Sequence, residues 1–262
     1  MSGPLRVQLA PGYVLHQRPF RDTSLIVEVF ARDHGRMTTF ARGARGPRGL
    51  KRGSGRFAGL QVFQRLLLSW HGRGDAPQLV GAESDGPLLA LPAAQWLSGC
   101  YLNELLLKLT AQHDPQPALF ALYEQTLLQL AAARAAEPVL RAFEKQLLEV
   151  LGFGLEFGLD AGSGEPVSAG ARYRFDAGDG LHRDDSRATA PTFSGRMLLA
   201  MAAGEPPQEP QLLHEARALM RLAIDHCLEG RELRTRAVAR SIARLEHAVA
   251  PAVVAAAEAG QA

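Results

Sequence analysis

Thr23-Ser24-Leu25-Ile26-Val27-Glu28-Val29-Phe30-Ala31, a turn at Asp33-His34-Gly35, and then Arg36-Met37-Thr38-Thr39-Phe40-Ala41 form the stretch on which the fold turns. Two runs rich in Val, Ile, Phe and Thr around a short Asp/Gly turn are the pattern of an antiparallel hairpin. Outward from it lie three more runs of the same kind, Val7 to His16, Gln61 to Trp70 and Gln78 to Ala82. Turn signals at Arg18 to Asp22, a glycine-rich basic segment, and Gly72-Arg73-Gly74-Asp75 divide them. Five short strands within residues 1–82 predict a small barrel.

After Pro92 the apolar period becomes helical. Ala93 to Gln112, Pro117 to Ala133 and Glu137 to Leu151 each align leucines and aromatics on one face, and prolines at 115, 117 and 138 mark their starts. Residues 155–191 are rich in Gly and Asp, with one strand-like piece at Arg172 to Phe175. Helical spacing returns in Phe193 to Ala203, Pro210 to Leu228 and Leu233 to Arg244. The expected architecture is α+β multidomain: a barrel over 1–82 and an all-helical domain over 90–250, with 155–191 as an irregular insert.

The 262 residues carry 47% hydrophobic and 21% charged side chains, ordinary globular usage, and no apolar run is long enough to cross a bilayer. With no export signal and only Cys100 and Cys227, both in apolar helical surroundings, the cytoplasm is the expected compartment. The net charge of +2 hides a polarity. Residues 1–75 hold 13 basic and four acidic side chains, whereas the remainder holds 16 basic and 23 acidic ones. Such an asymmetry points to a polyanion-binding module joined to something else. Its densest part runs from Arg42 to Arg56, with Arg42, Arg45, Arg48, Lys51, Arg52 and Arg56 among five glycines and a proline. That composition prevents a helix and leaves arginines and backbone amides free to meet phosphates. A basic loop with aromatics at Phe20, Phe30, Phe40, Phe57, Phe63 and Trp70 makes an oligonucleotide-binding barrel, the OB-fold, the economical choice.

Signatures of covalent chemistry do not emerge. The glycines of 43–55 do not match a phosphate-binding loop, and His214-Glu215 has Ala at 218 where a zinc protease needs its second His. Asp176, Asp179 and Asp184-Asp185 read as solvated loop carboxylates. The expectation is a binding protein, not an enzyme.

Tyr13 to Leu25, Gly35-Arg36 and Ala41 to Arg48 closely resemble the opening of the bacterial RecO family of recombination mediators. The likeness continues through Leu66-Leu67-Leu68, Tyr101-Leu102-Asn103-Glu104-Leu105-Leu106, Leu140-Arg141-Ala142-Phe143-Glu144, Leu151-Gly152-Phe153-Gly154-Leu155, Thr192-Phe193-Ser194-Gly195 and Leu233-Arg234-Thr235-Arg236. The resemblance implies an N-terminal OB-fold, a helical C-terminal domain, and nucleoid-associated work in DNA repair. It implies binding of single- and double-stranded DNA, annealing of complementary strands, and contacts with single-strand-binding protein and RecR that help load RecA in the RecF pathway. Many such relatives carry a four-cysteine zinc site after the third helix. Here the corresponding Asp160 to Val167 has no cysteine, so a degenerate, metal-free version is expected and no cofactor is implied.

On this basis Arg42, Arg45, Arg48, Lys51, Arg52 and Arg56 are the primary DNA contacts, with Arg18, Arg21, Arg36, Arg65 and Arg73 as secondary ones. Phe40, Phe57 and Trp70 are candidates to stack on bases. The acidic, aromatic tail of a single-strand-binding protein needs an apolar groove rimmed by cations, and Arg134, Arg141 and Lys145 are its candidate rim. An RNA-binding OB-fold protein is the alternative reading.

Overall fold

The computed structural model describes residues 6–44, 57, 59–72, 74, 76–184 and 191–245. Strands β1 (Arg6–Phe20), β2 (Ser24–Ala31), β3 (Gly35–Ala41), β4 (Arg65–His71) and β5 (Gln78–Ser84) close into a barrel of order β1-β2-β3-β5-β4, β4 returning to β1. All pairings are antiparallel except a short parallel contact of β3 with β5 at Phe40 and Ala41. Alternation decides what lies inside: Met37, Thr39 and Ala41 of β3 point inward with Val27 and Val29 of β2, Leu66, Leu68 and Trp70 of β4. The buried Thr39 hydroxyl donates to the Val27 carbonyl at 3.1 Å, so its polarity is satisfied.

β1 runs four residues beyond the predicted strand. Pro19 sits within it opposite Leu25, at the hairpin end where a missing N–H is tolerated, and the turn shrinks to residues 21–23 with Arg21 left-handed at φ 52°. β4 begins at Arg65 instead of Gln61, because Phe63 takes φ 65° and bends the chain; Val62 keeps only an isolated bridge to Val14.

The helices among the described residues are α1 (Ala93–Leu109), α2 (Pro117–Ala132), α3 (Ala136–Val150), α4 (Gly195–Ala202), α5 (Pro210–Leu228) and α6, described over 234–245. α1 stops three residues early: Thr110 is extended, and its hydroxyl donates to the Leu106 carbonyl. The all-helical expectation for this part is corrected. β6 (Arg172–Asp176), β7 (Gly180–Arg183) and β8 (Thr192–Ser194) form a sheet of order β7-β6-β8. β6 is the strand-like piece read at Arg172 to Phe175; β7 and β8, of four and three residues, are too short to display alternation, and β8 runs directly into α4, whose N-cap is Ser194.

Barrel and helices share one core. Tyr13, Leu15, Phe30 and Phe63, on the barrel's outside, are buried with leucines of α1, α2 and α3. The Tyr13 ring lies 5.4 Å from Phe120 and 5.1 Å from Tyr123, and burying each such aromatic contributes about 1.5–3 kcal/mol. Leu15 faces outward like Tyr13, two residues before it, at a β-bulge between Val14 and His16; its carbonyl accepts from Asn103 Nδ2 at 2.8 Å, and the Tyr123 hydroxyl donates to Asn103 Oδ1 at 2.6 Å. Gly99 permits the approach, since a Cβ there would lie 2.9 Å from the Phe63 ring.

Candidate nucleic-acid interface and an arginine-lined groove

The outer face of β1, β2 and β3 has two ends with opposite fates. At one end Arg18, Ile26 and Phe40 stand in one cross-strand row, and Phe20 packs on Phe40 with ring centroids 5.4 Å apart. Both rings are half-buried. The Arg21 guanidinium lies 5.2 Å from the Phe20 centroid, a cation–π contact. Arg42 follows β3 directly. Arg18 and Arg42 are exposed and have no ion-pair partner among the described residues. The other expected phosphate ligands, Arg45, Arg48, Lys51, Arg52, Arg56 and Arg73, lie outside the described residues.

At the other end the same face is consumed by the helices. Arg36 donates to the Thr110 carbonyl at 2.9 Å and lies 3.8 Å from Glu28. Arg65 pairs with Asp85 at 2.7 Å and with Glu124, which also accepts from the Tyr13 hydroxyl at 3.0 Å. Burial, reinforced by the Glu124 charge, pushes the Tyr13 hydroxyl well above its ordinary pKa. These two arginines join barrel to helices, Arg36 largely buried and Arg65 half-buried. Of the aromatics considered for stacking, Trp70 and Phe57 are buried; Phe40 is reachable, and its pairing with Phe20, another of the aromatics noted in the sequence, is set by strand register.

A second concavity, about 330 Å³, opens between α1, α3, α5 and α6. Arg141, Arg217, Arg221, Arg236 and Arg240 line it, against Glu137 and Glu144. Its floor is built: Glu144, fully buried, accepts from the Tyr101 hydroxyl and from Arg141, both at 2.7 Å. Burial pushes the Glu144 carboxyl up while Arg141 opposes that shift. Arg141 Nε and Glu144 Oε2 remain without hydrogen-bond partners. Arg217 pairs with Glu137 at 3.1 Å, and Asp225 faces both Arg221 and Arg236.

The three cations expected to rim such a groove are not brought together. Arg141 lies at the floor; Arg134 is exposed in the α2–α3 connection and does not line the cavity. Lys145, one turn along α3 from Arg141, does not line the cavity; it pairs with Glu149 at 2.6 Å and lies 5.9 Å from the Phe157 ring centroid. Four lining arginines were missed. Their signal was present: 217/221 and 236/240 are i,i+4 pairs that put two guanidiniums on one helix face.

Residues 6–84 match a family model described as recombination protein O N terminal, and residues 94–237 match recombination protein O C terminal. The chain belongs to the RecO family. Among its relatives, a DNA repair protein RecO of Alkalilimnicola ehrlichii is 45% identical over 259 residues, covering 96% of this chain and 98% of the relative. Those of Azoarcus sp. (strain BH72) and Thiobacillus denitrificans are each 41% identical, covering 94% of this chain and 100% and 96% of their own lengths.

The Asp160 to Val167 stretch, expected from the sequence as a degenerate, cysteine-free version of a four-cysteine site, holds neither of the chain's thiols, Cys100 on α1 and Cys227 on α5. A carboxylate ties the corresponding turns instead. Asp160 Oδ1 accepts the Gly162 and Ser163 amides at 2.8 Å, and Oδ2 accepts the Arg183 amide of β7 at 2.5 Å. The Ser163 amide first, with the Arg183 and Gly162 amides, holds the Asp160 carboxyl below its ordinary range. Nearby, Asp176, Asp179 and His182 converge on the β6–β7 hairpin, but Arg174 already pairs with Asp176 at 3.0 Å.

Proposed function

We propose that this RecO-family chain is a recombination mediator in DNA repair that acts by binding, making and breaking no bond. In this reading the barrel is an OB-fold that grips single- and double-stranded DNA without sequence preference and anneals complementary strands. The groove takes the acidic tail of single-strand-binding protein, and further contacts with RecR help load RecA on the RecF pathway in the bacterial cytoplasm. One observation carries the DNA reading: Phe20 and Phe40, packed together with rings tilted 52°, and Arg18, Arg21 and Arg42 occupy the β2–β3 face and β1–β2 turn, the surfaces OB-folds use for oligonucleotides. Aromatic platforms bind any base, and arginines bind any phosphate, so such a surface reads no sequence. Neutralising both strands also lowers their mutual repulsion, which is what annealing requires. The groove reading rests on five arginines over an apolar-walled cavity. No helix among the described residues is long and apolar enough to cross a membrane.

Salt dependence tests the DNA reading. If about six phosphates are engaged, affinity falls about a thousandfold or more between low and moderately high salt. Replacing Arg42, Arg45 and Arg48 together by Ala flattens the slope of log K against log salt by about two to three. An unchanged slope removes this segment from the site, and preference for RNA over DNA of equal length replaces the reading with an RNA-binding one.

A further inference from the structure

α6 supplies Thr235, Arg236, Ala239, Arg240 and Ala243 to the groove, yet little packing holds it. Leu233, just before it, is buried, whereas Val238, Ile242 and Leu245 are 48%, 43% and 65% exposed. With so little apolar surface buried among its described residues, 234–245 does not hold its position by burial. Its first turn is instead tied from α1. Glu104 accepts the Arg234 amide at 2.8 Å, the Thr235 amide at 2.9 Å and the Thr235 hydroxyl at 2.7 Å. Amides at a helix start have no intrahelical acceptor and carry partial positive charge, so a carboxylate there serves as cap and counter-charge. Caps normally come from the adjoining residue; this one comes from a position 130 residues away. Burial would push the Glu104 carboxyl up, but the Thr235 hydroxyl and the two amides outweigh it and hold it below the ordinary carboxylate range.

We infer that Glu104 is the positioning residue of the groove: a helix cap supplied across the fold that fixes Arg236 and Arg240 opposite Arg217 and Arg221 without touching the ligand. The inference rests on reading the groove as the site of an acidic peptide. The full chain is titrated with a labelled synthetic peptide, the last ten residues of a bacterial single-strand-binding protein, and amide hydrogen exchange is followed in parallel. Glu104→Gln keeps the side chain's shape and removes its charge. It is expected to speed exchange over 235–240 and to weaken peptide binding, each about tenfold, the scale of a lost cap, while single-stranded DNA affinity stays unchanged. Thr235→Val, which removes one donor of three, produces a smaller change in the same direction. Arg217→Glu on α5 weakens the peptide without altering exchange in α6. Wild-type exchange over α6 in Glu104→Gln, or faster exchange with unaltered peptide affinity, overturns the inference. A wild-type chain that ignores the peptide sinks the groove reading instead, and the exchange data still decide whether Glu104 holds the helix.

Discussion

Phe40 and Trp70 look alike in sequence, each an aromatic inside a strand, and the barrel gives them opposite work. Trp70 is 2% exposed in the barrel core, whereas Phe40 is on the outer face against Phe20. Phe40→Ala is therefore expected to weaken single-stranded DNA binding by about 1–3 kcal/mol for each base lost from the stack, with little change in melting temperature. Trp70→Ala leaves a core cavity and costs about 3–5 kcal/mol of stability. Fluorescence anisotropy and thermal melts of both variants separate the roles; a Phe40→Ala protein that binds like wild type removes the platform. The same logic makes Arg141 a poor probe of the groove. Removing it strands Glu144 as a buried charge without its cation, and the loss of fold would mask any loss of binding.

At the scale of elements, Asp160 organises the turns that precede β6 and ties them to β7. Asp160→Asn keeps the size and loses the charge that three amides converge on, so the melting temperature should fall by about 5 °C at neutral pH. The sign with pH follows from the depressed carboxyl. Its stabilisation is complete above the ordinary carboxylate pKa and is lost as pH falls through the lower folded value, so wild type and variant converge in acid. Melts at a series of pH values check this, and a gap that widened on acidification would contradict it. Of the sheet β7-β6-β8 only β6 was legible, as the strand-like piece at Arg172 to Phe175; β7 and β8 escaped periodicity because elements this short hold together through Asp160 and through Tyr173, Leu181 and Phe193 in the common core.

Over the whole molecule, the barrel's outer face is part of the helical core, and Arg65, Asp85, Glu124 and Tyr13 form a polar clasp beside it. Two units sharing a core in this way should unfold together: calorimetry is expected to give one transition with equal calorimetric and van't Hoff enthalpies. Residues 6–84 alone would expose Tyr13, Leu15, Phe30 and Phe63 and aggregate. Two separated transitions in the full chain would refute the shared core.

The five strands and the main helices were legible because their signals are local: alternation, 3.6-residue spacing, and turn residues between them. The segment 42–56 was legible as cationic for the same reason, since charge density needs no partner to be seen. Which arginines are free was not. Arg36 and Arg65 meet Thr110 and Glu124 across 74 and 59 residues of chain, while Arg18 has no ion-pair partner among the described residues, and the sequence around the three gives no sign of it. The groove likewise draws its arginines from α3, α5 and α6 and its cap from α1. Local pattern determines what each segment becomes; only tertiary packing decides which charges it spends on itself and which it keeps for a ligand, because a buried or half-buried charge must find its partner within the fold.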